Sequence, residues 1–206
     1  MGSPAAAEST SPACTYRQPV WDVFVRVFHW SLVACVLLNY SVVEAGEWLH
    51  QWLGYTASAL VAARVAWGFA GSRYARFADF FPTPARLRAH VAELRSGLRL
   101  SQKTGQQTGQ KPGQQAPPLP RHVGHTPLGA LMMLTLMLLV LMLGFTGWLQ
   151  LTDRYWGVEW LQEVHETLAN ALITGVALHA AAALLMGRLE RTNLVGAMVT
   201  GVKVFK

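Results

Sequence analysis

Two histidines interrupt a stretch of apolar residues near the C-terminal end of the sequence. His165 and His179 lie in "VHETLANALITGVALHAA", residues 164–181. Fourteen residues of helix rise about 21 Å in close to four turns, so the two side chains project from nearly the same face at two depths. An imidazole in an apolar interior is costly without a partner. One helix therefore offers a candidate ligand to each of two stacked sites.

The composition predicts that these histidines lie in a membrane. The chain has 206 residues, of which 52% are hydrophobic and only 14% charged, as expected for one compact domain whose outer surface faces lipid. A helix needs roughly 20 apolar residues to cross a bilayer. Four stretches reach that length, near residues 20–43, 47–70, 127–150 and 162–187. The fold class predicted is all-α, an integral membrane four-helix bundle, in which the less apolar second and fourth spans face the interior.

The distribution of charge predicts the orientation of the bundle. The net charge of +6 would suit a nucleic-acid-binding protein, but the basic residues gather in alternate connections, as the positive-inside rule expects. The connection between the second and third spans holds nine: Arg73, Arg76, Arg86, Arg88, Arg95, Arg99, Lys103, Lys111 and Arg121. The first connection holds Glu44 and Glu47 without a cation. Both termini and the connection 71–126 are therefore predicted to be cytoplasmic, and no nucleic-acid partner is expected.

The segments outside the spans carry no predicted chemistry. Residues 1–19 are small and polar and are predicted to be a flexible cytoplasmic N-terminus, with residues 20–206 forming the membrane domain. Residues 82–100 space leucine and valine at helical intervals between arginines, which predicts an amphipathic helix on the membrane surface. Residues 101–120 are rich in Gln, Gly and Pro and are predicted to be disordered. His90 and His122 are expected to be solvated.

Two further histidines match the first two in depth. With the N-terminus inside, His29 and His179 each lie about two turns from a cytoplasmic helix end, and they form the inner pair. His50 and His165 both lie just inside the outer surface, and they form the outer pair. An axial nitrogen on each face of a flat macrocycle is what a bis-histidine b-type haem requires. Since no CxxCH motif is present, the sequence predicts two non-covalent b haems.

Other interpretations of the same residues stay open at this point. An intramembrane histidine often only hydrogen-bonds a neighbouring helix. A zinc site would need a third and a fourth ligand, and no carboxylate accompanies the inner pair. Glu47 and Glu166 do lie near the outer pair, so a transporter of protons or divalent metal that uses His50 and His165 is a rival hypothesis.

Four more residues have two interpretations each. Gly54 and Gly175, one turn from a histidine, either leave room for a porphyrin or let helices approach closely. Arg26 and Arg64 either pair with propionates of the inner haem or extend to lipid headgroups.

Four segments resemble a known family: "VWDVFVRVFHW", "HQWLGYTASALVAARVAWGFAGSRYARFADF", "GHTPLGALMML" and "HETLANALITGVALHA". Across most of residues 20–187 the sequence resembles the bacterial cytochrome b561 family, together with the b-type cytochrome subunits of membrane-bound nickel-iron hydrogenases. The resemblance implies four haem ligands at His29, His50, His165 and His179. It implies a di-haem electron carrier of the bacterial inner membrane, between the quinone pool and a redox partner such as a c-type cytochrome or a hydrogenase.

The resemblance leaves several properties open. A haem-bearing anchor subunit of a hydrogenase or dehydrogenase complex is an alternative to a free-standing carrier. The protein would be a quinone-linked oxidoreductase only if quinone binds to it directly. A homodimer is also an open alternative.

Overall fold

The computed structural model describes residues 16–70, 127–189 and 192–205, and the separate helical positions 85, 87–89, 91, 92 and 96. Those separate positions fall in the predicted amphipathic segment, where Arg88 is exposed and Leu87 and Val91 are half-buried. The predictions for residues 1–15 and 101–120, and for His90 and His122, lie outside the described residues.

Four long helices make up most of the described chain. They are α1 (Val23–Ser41), α2 (Trp48–Ala70), α3 (Pro127–Gln150) and α4 (Glu159–Leu189). At 1.5 Å of rise per residue the shortest spans about 28 Å and the longest about 46 Å, close to or beyond the thickness of a bilayer core. The predicted helical membrane bundle is therefore confirmed, with helix bounds close to the predicted spans.

Local sequence sets where the helices begin and turn. Asp22 caps α1, because its Oδ1 accepts a hydrogen bond from the backbone N–H of Val25 at 2.8 Å. Pro127 begins α3, where its missing N–H costs nothing. Gly46 and Gly157 have φ of 88° and 74° in the two short connections, a backbone conformation that glycine adopts without strain. Each connection returns the chain alongside the helix before it.

The helices pack in chain order. α2 contacts α1 and α3, and α3 contacts α4. The core between them is made of seven buried residues: Phe28, Cys35, Ala57, Val61, Met137, Val140 and Leu172. Val61 and Arg64 of α2 are almost completely buried, as predicted for an inward-facing span. In α4, by contrast, only Leu161 and Leu172 are buried, and this helix packs mainly against α3.

A small sheet joins the two ends of the described chain. β1 (Tyr16–Pro19) pairs antiparallel with β2 (Val202–Phe205), with Tyr16 opposite Phe205. A short helix, α5 (Leu194–Thr200), precedes β2 and ends at Gly201 with φ of 82°. We call β1, α5 and β2 the terminal clasp. The flexible N-terminus predicted for residues 1–19 is thus wrong for residues 16–19, because the valines and Phe205 of β2 favour a strand that gives them a pairing partner.

The terminal clasp constrains the path of the chain. Because β1 precedes α1 and β2 follows α4, the two ends of the described chain lie together on one side of the bundle, and the chain passes along the bundle an even number of times. By length and mean hydropathy, α1, α3 and α4 could each cross a membrane. The more polar α2 is long enough but has too low a mean hydropathy to be counted with them. α2 nevertheless packs against both α1 and α3, and its 23 residues are long enough to cross a bilayer core. We call the clasp side the terminal end and the opposite side, with connections 42–47 and 151–158, the loop end.

Candidate functional site

The outer pair of histidines meets at the loop end. His50 lies in the first turn of α2, and His165 lies near the start of α4. Their ring centroids are 6.2 Å apart, and the ring planes are inclined by 58°. The two helices come from opposite halves of the sequence, so the contact depends on the whole bundle. The structure therefore brings together the two residues that the depth argument paired.

A cavity of about 460 Å³ adjoins this pair, a size typical of ligand pockets. Its walls come from all four helices and are mostly apolar: Val36, Leu53, Val140, Leu143, Leu172 and Ile173. Gly54 also lines it, and a Cβ added there would meet no atom within 4 Å. Gly175 has the other role, since its Cβ would lie 2.8 Å from Leu136 Cδ2. Gly54 thus borders open space, whereas Gly175 lets α3 and α4 approach closely.

His165 has a second partner, which sequence reasoning missed. Thr146 of α3 is only 7% exposed, and its Oγ1 lies 2.8 Å from His165 Nδ1. A Cβ added at the next residue, Gly147, would lie 3.3 Å from His165 Cε1. α3 carries no histidine among its described residues, yet its Thr146 and Gly147 hold the ring of His165 in place. The run "GFTG" at 144–147, inside a helix otherwise rich in Leu and Met, is the only signal in the sequence that marks this position.

His50 lacks an equivalent contact. Its Nδ1 is buried without a hydrogen-bond partner. Asn39 of α1 donates from Nδ2 to the backbone carbonyl of His50 at 3.3 Å, which holds the start of α2 rather than the ring. A buried polar atom without a partner costs free energy. That cost at His50 is relieved only by a group that reaches Nδ1.

The inner pair lies toward the terminal end. His29 and His179 are both half-buried, and their side chains are close enough to interact electrostatically. His29 Nδ1 is buried without a hydrogen-bond partner, as in His50. The indole of Trp30 meets the His29 ring edge-on, with centroids 5.2 Å apart. The structure thus places the second predicted pair, His29 on α1 and His179 on α4, within electrostatic range of each other.

The two candidate arginines have different surroundings. Arg64 is 1% exposed and interacts electrostatically with Asp22, so it does not extend to lipid headgroups. Asp22 is shared, because its Oδ2 also accepts a hydrogen bond from Trp67 Nε1 at 3.3 Å. Arg26 donates from Nη2 to the carbonyl of Val199 in α5, which leaves its Nε buried without a partner. Arg64 is therefore held inside the protein at the terminal end, and the half-buried Arg26 is held against α5 at the same end.

The arrangement does not favour a site for a bare metal ion. Glu47 and Glu166, the carboxylates nearest the outer pair in sequence, are both exposed. Within the ranges that the structure describes, no three His, Cys, Asp or Glu side chains converge on one point. Protein sites for zinc use three or four such ligands. The described residues offer histidines in pairs instead.

The outer pair fits a haem. An imidazole nitrogen binds a transition metal at about 2 Å, so two rings on opposite faces of one metal atom have centroids about 6 Å apart. The separation of 6.2 Å between His50 and His165 agrees with this value. The apolar cavity beside them and the open space at Gly54 suit a flat, largely apolar macrocycle.

Comparison with known families identifies the protein class. The family model described as "Prokaryotic cytochrome b561" matches residues 20–201. The chain belongs to the prokaryotic cytochrome b561 family. It is therefore a bacterial membrane protein that binds b-type haem and carries electrons. The predicted family is confirmed, and the more specific likeness to hydrogenase subunits stays a prediction. No curated protein and no solved structure matches the sequence significantly.

Proposed function

We propose that this cytochrome holds two bis-histidine b haems and passes electrons between the quinone pool and a redox partner. His50 and His165 are assigned to the outer haem, and His29 and His179 to the inner one. The observation that carries the proposal is the outer pair, two imidazoles 6.2 Å apart beside an apolar cavity of about 460 Å³.

The inner assignment has separate support. His29 has a buried ring nitrogen without a hydrogen-bond partner and interacts electrostatically with His179. α4 supplies one ligand to each layer, and the rise between His165 and His179 is about 21 Å. Two haems at those depths divide the width of the membrane into shorter electron-transfer steps.

The protein supplies the surroundings of the cofactor. When bound, haem provides reversible one-electron chemistry at iron. The histidines would fix its orientation, and the mostly apolar lining of the cavity would disfavour water beside it. Arg26 and Arg64 are assigned to propionates of the inner haem, because both side chains lie at that end, Arg64 is buried there, and Arg26 Nε is buried without a hydrogen-bond partner.

Orientation follows from charge. The basic residues of connection 71–126 and of the two termini favour a cytoplasmic terminal end. The outer haem then lies near the periplasmic surface, where a c-type cytochrome or a hydrogenase could exchange electrons with it. The alternative role as the haem-bearing anchor of a hydrogenase or dehydrogenase complex uses the same two haems. A transporter of protons or divalent metal would use none.

A quinol oxidation experiment tests this function. The purified protein is placed in lipid vesicles and mixed with a short-chain quinol, and haem reduction is followed by its visible absorbance. The proposal predicts reduction of both haems by quinol and reoxidation by the matching quinone, with only one reducible haem in His165→Ala. Protein that retains both haems but does not exchange electrons with either reagent would contradict the quinone link. Stable co-purification with a hydrogenase or dehydrogenase subunit would then favour the anchor role.

A further inference from the structure

The hydroxyl oxygen of Thr146 has three hydrogen-bond contacts, but the group has only one proton to donate. Its Oγ1 lies 2.9 Å from the carbonyl oxygen of Met142, 3.2 Å from that of Leu143 and 2.8 Å from His165 Nδ1. A hydroxyl donates one proton and accepts through two lone pairs. A carbonyl oxygen can only accept, so a hydroxyl proton that points at the helix backbone leaves Oγ1 as the acceptor toward the ring. His165 Nδ1 must then carry the proton and donate.

That state has a consequence for the other ring nitrogen. A neutral imidazole with its proton on Nδ1 has a free lone pair on Nε2, the form that binds a metal. In the opposite state the hydroxyl would donate to Nδ1, the ring proton would lie on Nε2, and that nitrogen could not bind iron. Iron binding through Nε2 requires the first state, and the backbone carbonyl at 2.9 Å gives the hydroxyl proton an acceptor in that state.

The position of the ring is fixed as well as its proton. Thr146 is β-branched and 7% exposed, so its side chain has little rotational freedom. At the adjacent Gly147 a Cβ would approach His165 Cε1 to 3.3 Å, so the ring lies directly against the backbone of α3. His50, on the other side of the site, has a buried Nδ1 without any such partner. The two ligands assigned to the outer haem are therefore held unequally.

We propose that Thr146 is a positioning residue that holds His165 in its iron-binding tautomer and thereby sets the affinity and reduction potential of the outer haem. This inference rests on the proposed outer haem and adds a residue from a helix that supplies no ligand to it. A donated Nδ1–H makes an imidazole more basic toward the metal, which stabilises the ferric state. Removing the acceptor should therefore raise the midpoint potential of the outer haem. Loss of such a supporting contact typically weakens metal binding about 10- to 100-fold.

The test compares Thr146→Val with two other variants in the full-length protein. Valine keeps the β-branched shape without the oxygen, and Thr146→Ser restores the hydroxyl. Thr135→Val is the matched control, since Thr135 lies on the same helix and bonds only the carbonyl of Leu131 at 3.0 Å. Each variant is titrated electrochemically, and haem is counted per folded chain. We expect a higher potential or a loss of the outer haem in Thr146→Val alone, with the inner haem unchanged and with near wild-type values in Thr146→Ser and Thr135→Val.

Several outcomes would overturn the inference. An outer potential that stays at the wild-type value in Thr146→Val with full haem content would do so, and so would a serine variant that behaves like valine. An equal shift of both haems would show a general effect of packing. If Thr146→Val does not fold, Thr146→Ala replaces it, and the inference requires the same selective change at the outer haem, with Thr135→Ala as its control. Failure of the proposed function looks different: wild-type protein would then hold fewer than two haems, or His165→Ala would keep both.

Discussion

At the scale of single residues, several polar side chains of this bundle find partners on another helix. His50 meets His165, Thr146 meets His165, and the carboxylate of Asp22 lies near the guanidinium of Arg64. Each contact joins two helices, because polar groups in an apolar interior must be satisfied within the protein. Residues that look like isolated interruptions in the sequence are therefore the ones that specify how the helices dock.

Replacing Gly54 by alanine tests whether the cavity is the haem site. The added methyl group would meet no protein atom within 4 Å, and alanine in a helix interior is favoured over glycine by about 1 kcal/mol. Without a ligand in the cavity, Gly54→Ala should therefore stabilise the protein slightly. With a porphyrin against this face, we expect weaker retention of the outer haem and a normal inner haem. Ala59→Val adds bulk on the exposed face of the same helix and serves as the control. Unchanged haem content in Gly54→Ala would place the outer haem elsewhere.

The sequence predicts the histidine pairs but not their support. Depth along a helix follows from counting residues. Once the distribution of Lys and Arg gives the topology, His29 matches His179 in depth and His50 matches His165. Thr146 could not be found in this way. Most threonines in apolar helices bond only the carbonyl four residues back, as Thr135 does, and no periodicity separates those from one that also reaches a ring. Such a contact depends on the rotation of α3 about its axis, which packing sets.

At the scale of elements, the terminal clasp holds the start of α1, near His29, the proposed ligand of the inner haem. The backbone N–H groups of Val20 and Trp21 donate to the carbonyl of Gly201 at 2.9 and 3.2 Å. Trp30 Nε1 donates to the carbonyl of Met198 at 3.4 Å, and Arg26 donates to that of Val199. These two side chains flank His29 in sequence. The carbonyl groups of Met198 and Val199, near the end of α5, thus accept hydrogen bonds from the part of α1 that carries His29.

Two glycines with the same backbone conformation allow a matched test of the clasp. Gly201 and Gly157 have φ of 82° and 74°, so alanine should cost each about 1–2 kcal/mol in backbone strain. Only at Gly201 would the Cβ also collide, 2.9 Å from the carbonyl oxygen of Trp21 and 3.2 Å from Arg26 Nη1. We expect Gly201→Ala to lower the thermal stability more than Gly157→Ala and to reduce the content of the inner haem. Equal losses in the two variants would mean that the clasp does not support that site.

The elements show where sequence patterns are weakest. The long helices were predictable because roughly 20 apolar residues in a row have few alternatives in a membrane. The clasp was not, since strands of four residues leave too short a pattern, and β1 gains its partner only when the two ends of the chain meet. The low burial of α4 was not predictable either, because polar residues mark one face of a helix but not how many neighbours it has.

At the scale of the whole molecule, the clasp and the charge distribution make one prediction about topology. Reporters fused at residue 110 and at the C-terminus should both be cytoplasmic, and one inserted within residues 152–158 should be periplasmic. The pairing of β1 with β2 already requires an even number of passes, so the two ends cannot differ. A reporter at residue 110 found outside the cell would contradict the pairing of the histidines by depth, because that pairing depends on the direction of every helix. Alkaline phosphatase and green fluorescent protein fusions report the two sides independently.

The central claim is that four histidines hold two haems in two separate layers. The most direct measurement is haem per folded chain, counted with a redox titration in the wild type and in alanine variants of His29, His50, His165 and His179. The account predicts two extractable b haems in the wild type. Losses of the same haem are expected from His29→Ala and His179→Ala, and losses of the other haem from His50→Ala and His165→Ala. A wild-type value near one or zero would contradict the account, as would loss of haems of different potential from His29→Ala and His179→Ala in folded protein.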